Sequence, residues 1–237
     1  MTSPTPEGDQ MARDTAETSP PLFAGSDPLF IDFGCGTGNS IRFAEGIMGG
    51  PGVGLDISTD RVAAAVERGY EVAVGDLLTF EGRSVATASF AIDLFPELET
   101  RRAWETALVT MLRAARDFVF IQHLCFDSAE ALLARGQTSA AHAAKPVLLR
   151  PRAIDYLHFV QQHRAGLNIV GFAAFGIGEA TGTPSAFEGI TGTLLDSAAP
   201  AFRSVRIIIA RKQVSRFRAA LQRAGSGQLL LYWEQPA

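Results

Sequence analysis

A short apolar run that ends in glycine at every second position constrains this chain more than any other feature. In Phe30-Ile31-Asp32-Phe33-Gly34-Cys35-Gly36-Thr37-Gly38-Asn39 the first four residues suit a central strand buried on both faces. The glycines have no Cβ, so the backbone can bend sharply there and a ligand can approach it closely. A helix opening near Asn39 would point free backbone N–H groups at that ligand. An acidic strand end, Asp56, follows eighteen residues after Gly38 in Gly52-Val53-Gly54-Leu55-Asp56. A third strand end stands at Gly75-Asp76-Leu77.

The first half of the chain alternates strand and helix. Strands are predicted at Leu29–Phe33, Gly52–Asp56, Glu71–Val74, about Ser84–Ile92 and Phe118–Gln122. Helices are predicted from about Ser40 to Met48, over Asp60–Arg68 with Ser58 or Thr59 as N-cap, and over Glu99–Arg116. Such alternation implies an α/β fold, a doubly wound parallel sheet with helices on both faces. Ligands bind such sheets outside the carboxyl ends of the strands. Gly34–Gly38, Asp56, Asp76 and Ser89–Asp93 all fall at that edge. Beyond residue 122 the pattern weakens. Helices are expected at Ser128–Arg135 and Ala153–His163, and strands at Asn168–Phe175 and Ser204–Ala210. Gln228–Trp233 suits an extra strand or a packed tail. Residues 1–27, rich in Pro, Thr, Ser and acids, read as a disordered tail ahead of one domain over 28–237.

The glycine spacing separates two ligands. A dinucleotide loop has the pattern G-x-G-x-x-G, whose third glycine lets helix and strand pack. Here Asn39 takes that third place. The order of Gly34-x-Gly36-x-Gly38, Asp56 and Asp76 resembles instead the cofactor half of class I S-adenosylmethionine-dependent methyltransferases. The resemblance is firm over roughly Leu29–Leu98, weaker through Gln122 and only topological beyond. It implies a mostly parallel seven-stranded sheet with the last strand antiparallel, a cofactor-binding half over 28–122 and a substrate-side half over 123–237. It implies S-adenosyl-L-methionine as cofactor, held by Asp32, Gly34, Cys35, Gly36, Gly38 and Asn39, with Ser89 and Phe90 lining the pocket. Asp56 can accept two hydrogen bonds from a ribose diol, Ile57 and Leu77 can wall an adenine, and Asp76 can accept from its amine.

The implied reaction is transfer of a methyl group to a small-molecule acceptor. Holding the two reactants in line would be the main catalytic effect. A general base is needed only if the nucleophile arrives protonated. Asp93, Glu97 and His123 are the candidates. Glu97 reads rather as a cap of the following helix, Asp93 suits cap and base alike, and His123 reads rather as a satisfied histidine at a strand end. Cys35 reads as a small apolar filler. The superfamily's helical lid ahead of the glycine loop has no counterpart here, so the lid is expected from His123–Arg150, from Gly176–Phe202 or from another subunit.

Composition narrows the partners. Of the residues, 47% are hydrophobic and 19% charged, with a net charge of −4, which offers no general attraction to nucleic acid or an anionic membrane. A basic run from Arg203 to Arg223 holds seven cations and no acid. It suits a nucleic-acid stripe or a solvated helix face with arginines snorkelling from the last strand. Cys35 and Cys125 have no metal-ligand spacing, no metal is expected, and a reducing cytoplasm is the simplest address. A homodimer is an open expectation. The alternatives are a nucleic-acid methyltransferase, a non-catalytic S-adenosylmethionine-binding protein and a nicotinamide-dependent oxidoreductase. Asn39 and the lack of a Tyr/Lys or His catalytic pair weigh against the last.

Overall fold

The fold is described from a computed structural model, which describes residues 23, 26–128, 149–179 and 201–235. Most of the expected N-terminal tail, the expected helix Ser128–Arg135 beyond its first residue, and most of both expected lid segments lie outside those residues.

One sheet organises the described chain. Its strands are β1 (Phe30–Phe33), β2 (Val53–Asp56), β3 (Glu71–Val74), β4 (Ala86–Ile92), β5 (Ala115–Leu124), β6 (Ile169–Glu179), β7 (Phe202–Arg211) and β8 (Gln228–Glu234). They lie in the order β3-β2-β1-β4-β5-β7-β6-β8. β1 to β5 pair in parallel, while β7 runs antiparallel to both β5 and β6. The seven-stranded expectation needs one correction. Gln228–Glu234 adds an eighth strand, antiparallel to β6, at the sheet edge. This segment is apolar enough to pair but has no period that separates a strand from a packed tail.

The α-helices are α1 (Asn39–Met48), α2 (Thr59–Glu67), α3 (Arg101–Ala114), α4 (Ala153–Leu167) and α5 (Val214–Ala224). They cover both faces because the central strands are apolar on both. Ile31, Phe33, Val119 and Ile207 pack in one layer with Trp104 and Met111 of α3 and Tyr156 and Phe159 of α4. Phe30, Phe90, Phe118 and Ile208 pack in the other with Ile41 of α1 and Phe217 of α5. Neighbouring residues of β1 thus serve opposite layers, as the two-residue period of a strand requires.

Caps fix where the helices start at the ligand edge. Ser58 caps α2, its hydroxyl accepting from the Arg61 N–H at 3.4 Å. Thr100 caps α3, accepting from the Ala103 N–H at 3.1 Å. Neither Asp93 nor Glu97 fills that role. Glu97 closes a separate single turn of 3₁₀ helix, Phe95–Glu97, between β4 and α3. The α1 N-terminus has Gly38 at its cap position and no side-chain cap.

The basic run of the last third is largely absorbed by the fold. Arg206 is buried, Arg211 donates to the carbonyls of Leu167 and Ala115, Arg216 pairs with Asp117, and Arg218 with Glu234 at 2.6 Å.

Candidate cofactor and acceptor clefts

Gly34, Gly36 and Gly38 all adopt positive φ, at 72°, 56° and 93°. That is a left-handed path that residues with a Cβ rarely take. A Cβ on Gly38 would sit 2.3 Å from the Tyr70 ring, whereas one on Gly36 would meet nothing within 4 Å. Gly36 therefore borders open space and Gly38 is wedged against protein. We expect Gly38→Ala to lower thermal stability by about 1–3 kcal/mol, from backbone strain plus overpacking. A stability equal to wild type in denaturant unfolding would refute this.

Three contacts set the loop. The Gly34 N–H donates to the Leu55 carbonyl at 2.7 Å. The Gly36 N–H donates to Oδ2 of Asp56 at 2.8 Å, while Oδ1 of Asp56 accepts from the Ser58 N–H at 2.9 Å. From outside, Arg68 donates to the Thr37 carbonyl at 2.7 Å and to Oδ1 of Asn39 at 3.0 Å. Asp56 thus ties the loop to the β2–α2 turn. Each of its oxygens keeps a second lone pair for a ligand hydroxyl.

Beneath the loop, Asp32 is fully buried, and neither carboxylate oxygen has a hydrogen-bond partner. The nearby Ser40 hydroxyl donates to the Cys35 carbonyl at 3.1 Å instead. Burial pushes the Asp32 carboxyl up to about 7, the adjacent Ser40 hydroxyl partly offsetting it and the charge of Asp56 adding to it, although the Ser40 hydroxyl is directed at the Cys35 carbonyl. An orphan carboxylate under a ligand loop wants a cation. Cys35 is buried, and burial followed by the charges of Asp32 and Asp56 pushes its thiol up to about 12. At neutral pH it is a protonated filler rather than a nucleophile.

Two clefts open at this edge. One, of about 680 Å³, is lined by Gly34, Asp56, Ile57, Asp76, Leu77 and Asp93 among others. The other, of about 430 Å³, is lined by Cys35, Gly36, Asn39, Phe43, Asp93 and Gln122 among others. Ile57 is 72% exposed in the first, an apolar side chain left in water beside an apolar partner, Leu77. Asp76 faces the same cleft while its Oδ1 accepts from the Leu78 N–H at 2.8 Å. Ile92, Asp93 and Arg61 border both clefts. Asp93 adopts φ 56° just past β4, and its N–H donates to the Gln122 carbonyl at 2.8 Å. Burial, then the neighbouring Glu97, raises its pKa above the ordinary aspartate value.

The structure brings most of the expected residues to the two clefts; Asp32 and Gly38 lie beneath and behind the loop, and Ser89, Phe90 and His123 lie in the core. Ser89 is fully buried inside β4 and donates to the Met111 carbonyl at 3.0 Å. Phe90 is fully buried and stacks on Phe120 at 4.9 Å. The strand runs on to Ile92, so Ile92, Asp93 and Leu94 line the cleft in their place. His123 is also fully buried, with Nε2 accepting from the Tyr156 hydroxyl at 2.8 Å and Nδ1 donating to the Leu124 carbonyl at 2.7 Å. Burial drops its pKa to about 4. With both ring nitrogens engaged in the core, His123 has no opening to a reactant and is a packing residue.

Other residues at the site are new from the structure. Gln122 lines the smaller cleft, and its Oε1 accepts from Nε and Nη2 of buried Arg206 at 3.1 and 2.9 Å. Arginine only donates, so the amide oxygen is fixed and the amide nitrogen is left for the cleft. Arg206 has no carboxylate partner among the described residues. It rests over the Phe120 ring at 5.1 Å and donates to the Ala224 carbonyl at 2.9 Å. Among the described residues no group of three or more His, Cys, Asp or Glu is arranged to hold a metal, and no helix is long and apolar enough to cross a membrane.

No protein-family model and no curated protein matches this chain. Solved structures do. A SAM-dependent methyltransferase from Archaeoglobus fulgidus superposes with a TM-score of 0.58 at 15% identity, over 81% of this chain and 89% of that one. The plantazolicin methyltransferase BamL, solved in complex with a triazolic desmethylPZN analog and SAH, gives 0.53 at 12% identity over 79% of each chain. Magnesium protoporphyrin IX methyltransferase from Synechocystis, solved with bound SAH, gives 0.51 at 15% identity over 78% of this chain and 75% of that one. The chain has the fold of the class I S-adenosylmethionine-dependent methyltransferases.

Proposed function

We propose that this protein binds S-adenosyl-L-methionine and transfers its methyl group to a small-molecule acceptor. The observation that carries this reading is the unpartnered, fully buried Asp32 carboxylate beneath the glycine loop. A dinucleotide would set an anionic pyrophosphate over that loop, against the charge of Asp32 and with the Gly36 N–H already given to Asp56. An amino acid end carries an ammonium, which Asp32 would pair, and a carboxylate, which the uncapped α1 N-terminus would favour. The ribose diol then falls to Asp56, and the adenine to Ile57, Leu77 and Asp76.

Bound S-adenosylmethionine supplies a sulfonium methyl that is already a strong electrophile. The protein's task is to hold an acceptor in line with it and to exclude water, effects worth about 7–11 kcal/mol of barrier. Asp93 stands where the two clefts meet and has a raised pKa, so it is the group placed to take a proton from an O–H or N–H acceptor. Gln122 presents N–H donors from the other wall. The smaller cleft, about 430 Å³, would take the amino acid end of the cofactor and leaves room beside it for a compact acceptor only. Asp76, Asp93, Glu97 and Glu99 line the larger cleft, and their charge disfavours a phosphate backbone.

Calorimetric titration with S-adenosylhomocysteine, beside NADH, tests the cofactor. Micromolar binding of S-adenosylhomocysteine and none of NADH is expected. The reverse, or no binding of either, would overturn the reading. Asn tolerates the left-handed backbone of Asp93, so Asp93→Asn isolates the charge. We expect it to leave S-adenosylhomocysteine affinity within a few-fold and to slow turnover of a protonated acceptor by about 10²–10⁴-fold. Wild-type activity should rise with pH through the raised Asp93 pKa, because only the ionised carboxylate accepts a proton. Unchanged turnover in the variant would remove Asp93 from the chemistry.

A further inference from the structure

Among the described residues, Arg61 is the only cationic side chain that lines the two clefts, and it borders both. It stands in the first turn of α2, three residues beyond the Ser58 cap and five beyond Asp56. Asp56, Asp76, Asp93 and Glu99 line the larger cleft with it. Its guanidinium nonetheless makes no ion pair or hydrogen bond with the described residues; its backbone N–H donates to the Ser58 hydroxyl. Other arginines on the same surface do find partners, as Arg68 does on Thr37 and Asn39 and Arg101 on Glu105. A guanidinium presents a planar fork of donors matched to a carboxylate. Exposed and unpaired where the two clefts meet, it is open to an anion that comes from outside.

The proposed cofactor has one carboxylate. With its ribose on Asp56 and its ammonium over Asp32, that carboxylate falls in the smaller cleft, beside Gly36, Thr37 and the start of α1. A side chain that reaches both clefts spans the distance from ribose to carboxylate. Resting on the cofactor reading above, we infer that Arg61 binds the carboxylate of S-adenosylmethionine from the α2 side, opposite the α1 N-terminus, and so selects for cofactors that keep their amino acid end. The same guanidinium chemistry would suit an acceptor carboxylate. The cofactor is favoured because Arg61 also borders the adenosine cleft, where an acceptor has no place.

The test compares two ligands by calorimetry. S-adenosylhomocysteine has the amino acid end; 5′-methylthioadenosine has the same adenosyl sulfide without it. Arg61→Ala is expected to weaken S-adenosylhomocysteine tenfold or more while leaving 5′-methylthioadenosine within twofold of wild type. Arg61→Lys, which keeps the charge but loses the fork, should fall between. Unchanged methylthioadenosine binding also certifies that the variant is folded. Equal loss for both ligands would overturn the inference and make Arg61 a general wall of the cleft. Unchanged S-adenosylhomocysteine binding would overturn it too, and would leave Arg61 to an acceptor anion. If wild-type protein binds neither ligand, the cofactor reading itself falls, an outcome distinct from either failure of Arg61.

Discussion

Replacing Asp32 by asparagine should raise the melting temperature of the ligand-free protein by roughly 5–10 °C at pH 8 and by almost nothing near pH 4. The sign follows from the raised pKa. Below pH 4 the carboxyl is protonated in both folded and unfolded chains, and burial costs nothing extra. As pH rises from the ordinary value of 3.8 to about 7, the unfolded chain ionises while the folded one holds its proton. Stability is therefore lost across that window and stays lost above it. The full cost is about 4 kcal/mol at most, of which a buried asparagine amide without partners returns a part. On the proposed reading the same variant should bind S-adenosylhomocysteine at least tenfold more weakly, since the cofactor ammonium would lose its counter-charge. Stabilisation with loss of ligand is the signature of a residue kept for binding at the expense of the fold. Calorimetric scans at both pH values check it. A variant that is equally or less stable at pH 8 would show that Asp32 has a partner after all.

Asp56→Ala carries the second large effect. Truncation removes the proposed ribose acceptor and, with it, the tie that holds the Gly36 and Ser58 N–H groups. We expect S-adenosylhomocysteine affinity to fall tenfold or more, at least about 1.4 kcal/mol. Unfolding free energy should fall by about 1–3 kcal/mol, because two partly buried donors lose their acceptor. The pairing of the two losses separates this variant from Asp32→Asn, where stability and affinity move in opposite directions. Affinity within threefold of wild type would rule out Asp56 as a cofactor contact.

What the sequence revealed is where glycine and aspartate punctuate apolar runs. β3 falls where it was expected, at Glu71–Val74, and β1 and β2 each start one residue later than expected. Gly34 to Gly38, Asp56 and Asp76 gather at one edge because parallel strands place all their carboxyl ends there. Where punctuation fails, the reading slips. Ala86-Thr87-Ala88-Ser89-Phe90-Ala91-Ile92 is small or apolar throughout, so although its end at Ile92 was legible, nothing in it marks how few of its last residues reach the cleft. Ser89 and Phe90 were expected at the pocket for that reason and lie in the core. His123 was ambiguous because its burial depends on Tyr156, thirty-three residues away on α4. The Asp56–Gly36 bond is likewise a tertiary contact that no local pattern encodes. Arg61 could have been found: a side chain in the first turn after an acidic strand end must rise at the ligand edge.

The central claim is that the amino acid end of the cofactor lies over the glycine loop and its adenosine in the neighbouring cleft. A crystal structure of the protein grown with S-adenosylhomocysteine tests it most directly. The account predicts ribose hydroxyls on Asp56, adenine between Ile57 and Leu77, and the ammonium directed at Asp32. Ligand bound elsewhere, or clefts that stay empty at saturating S-adenosylhomocysteine, would contradict it.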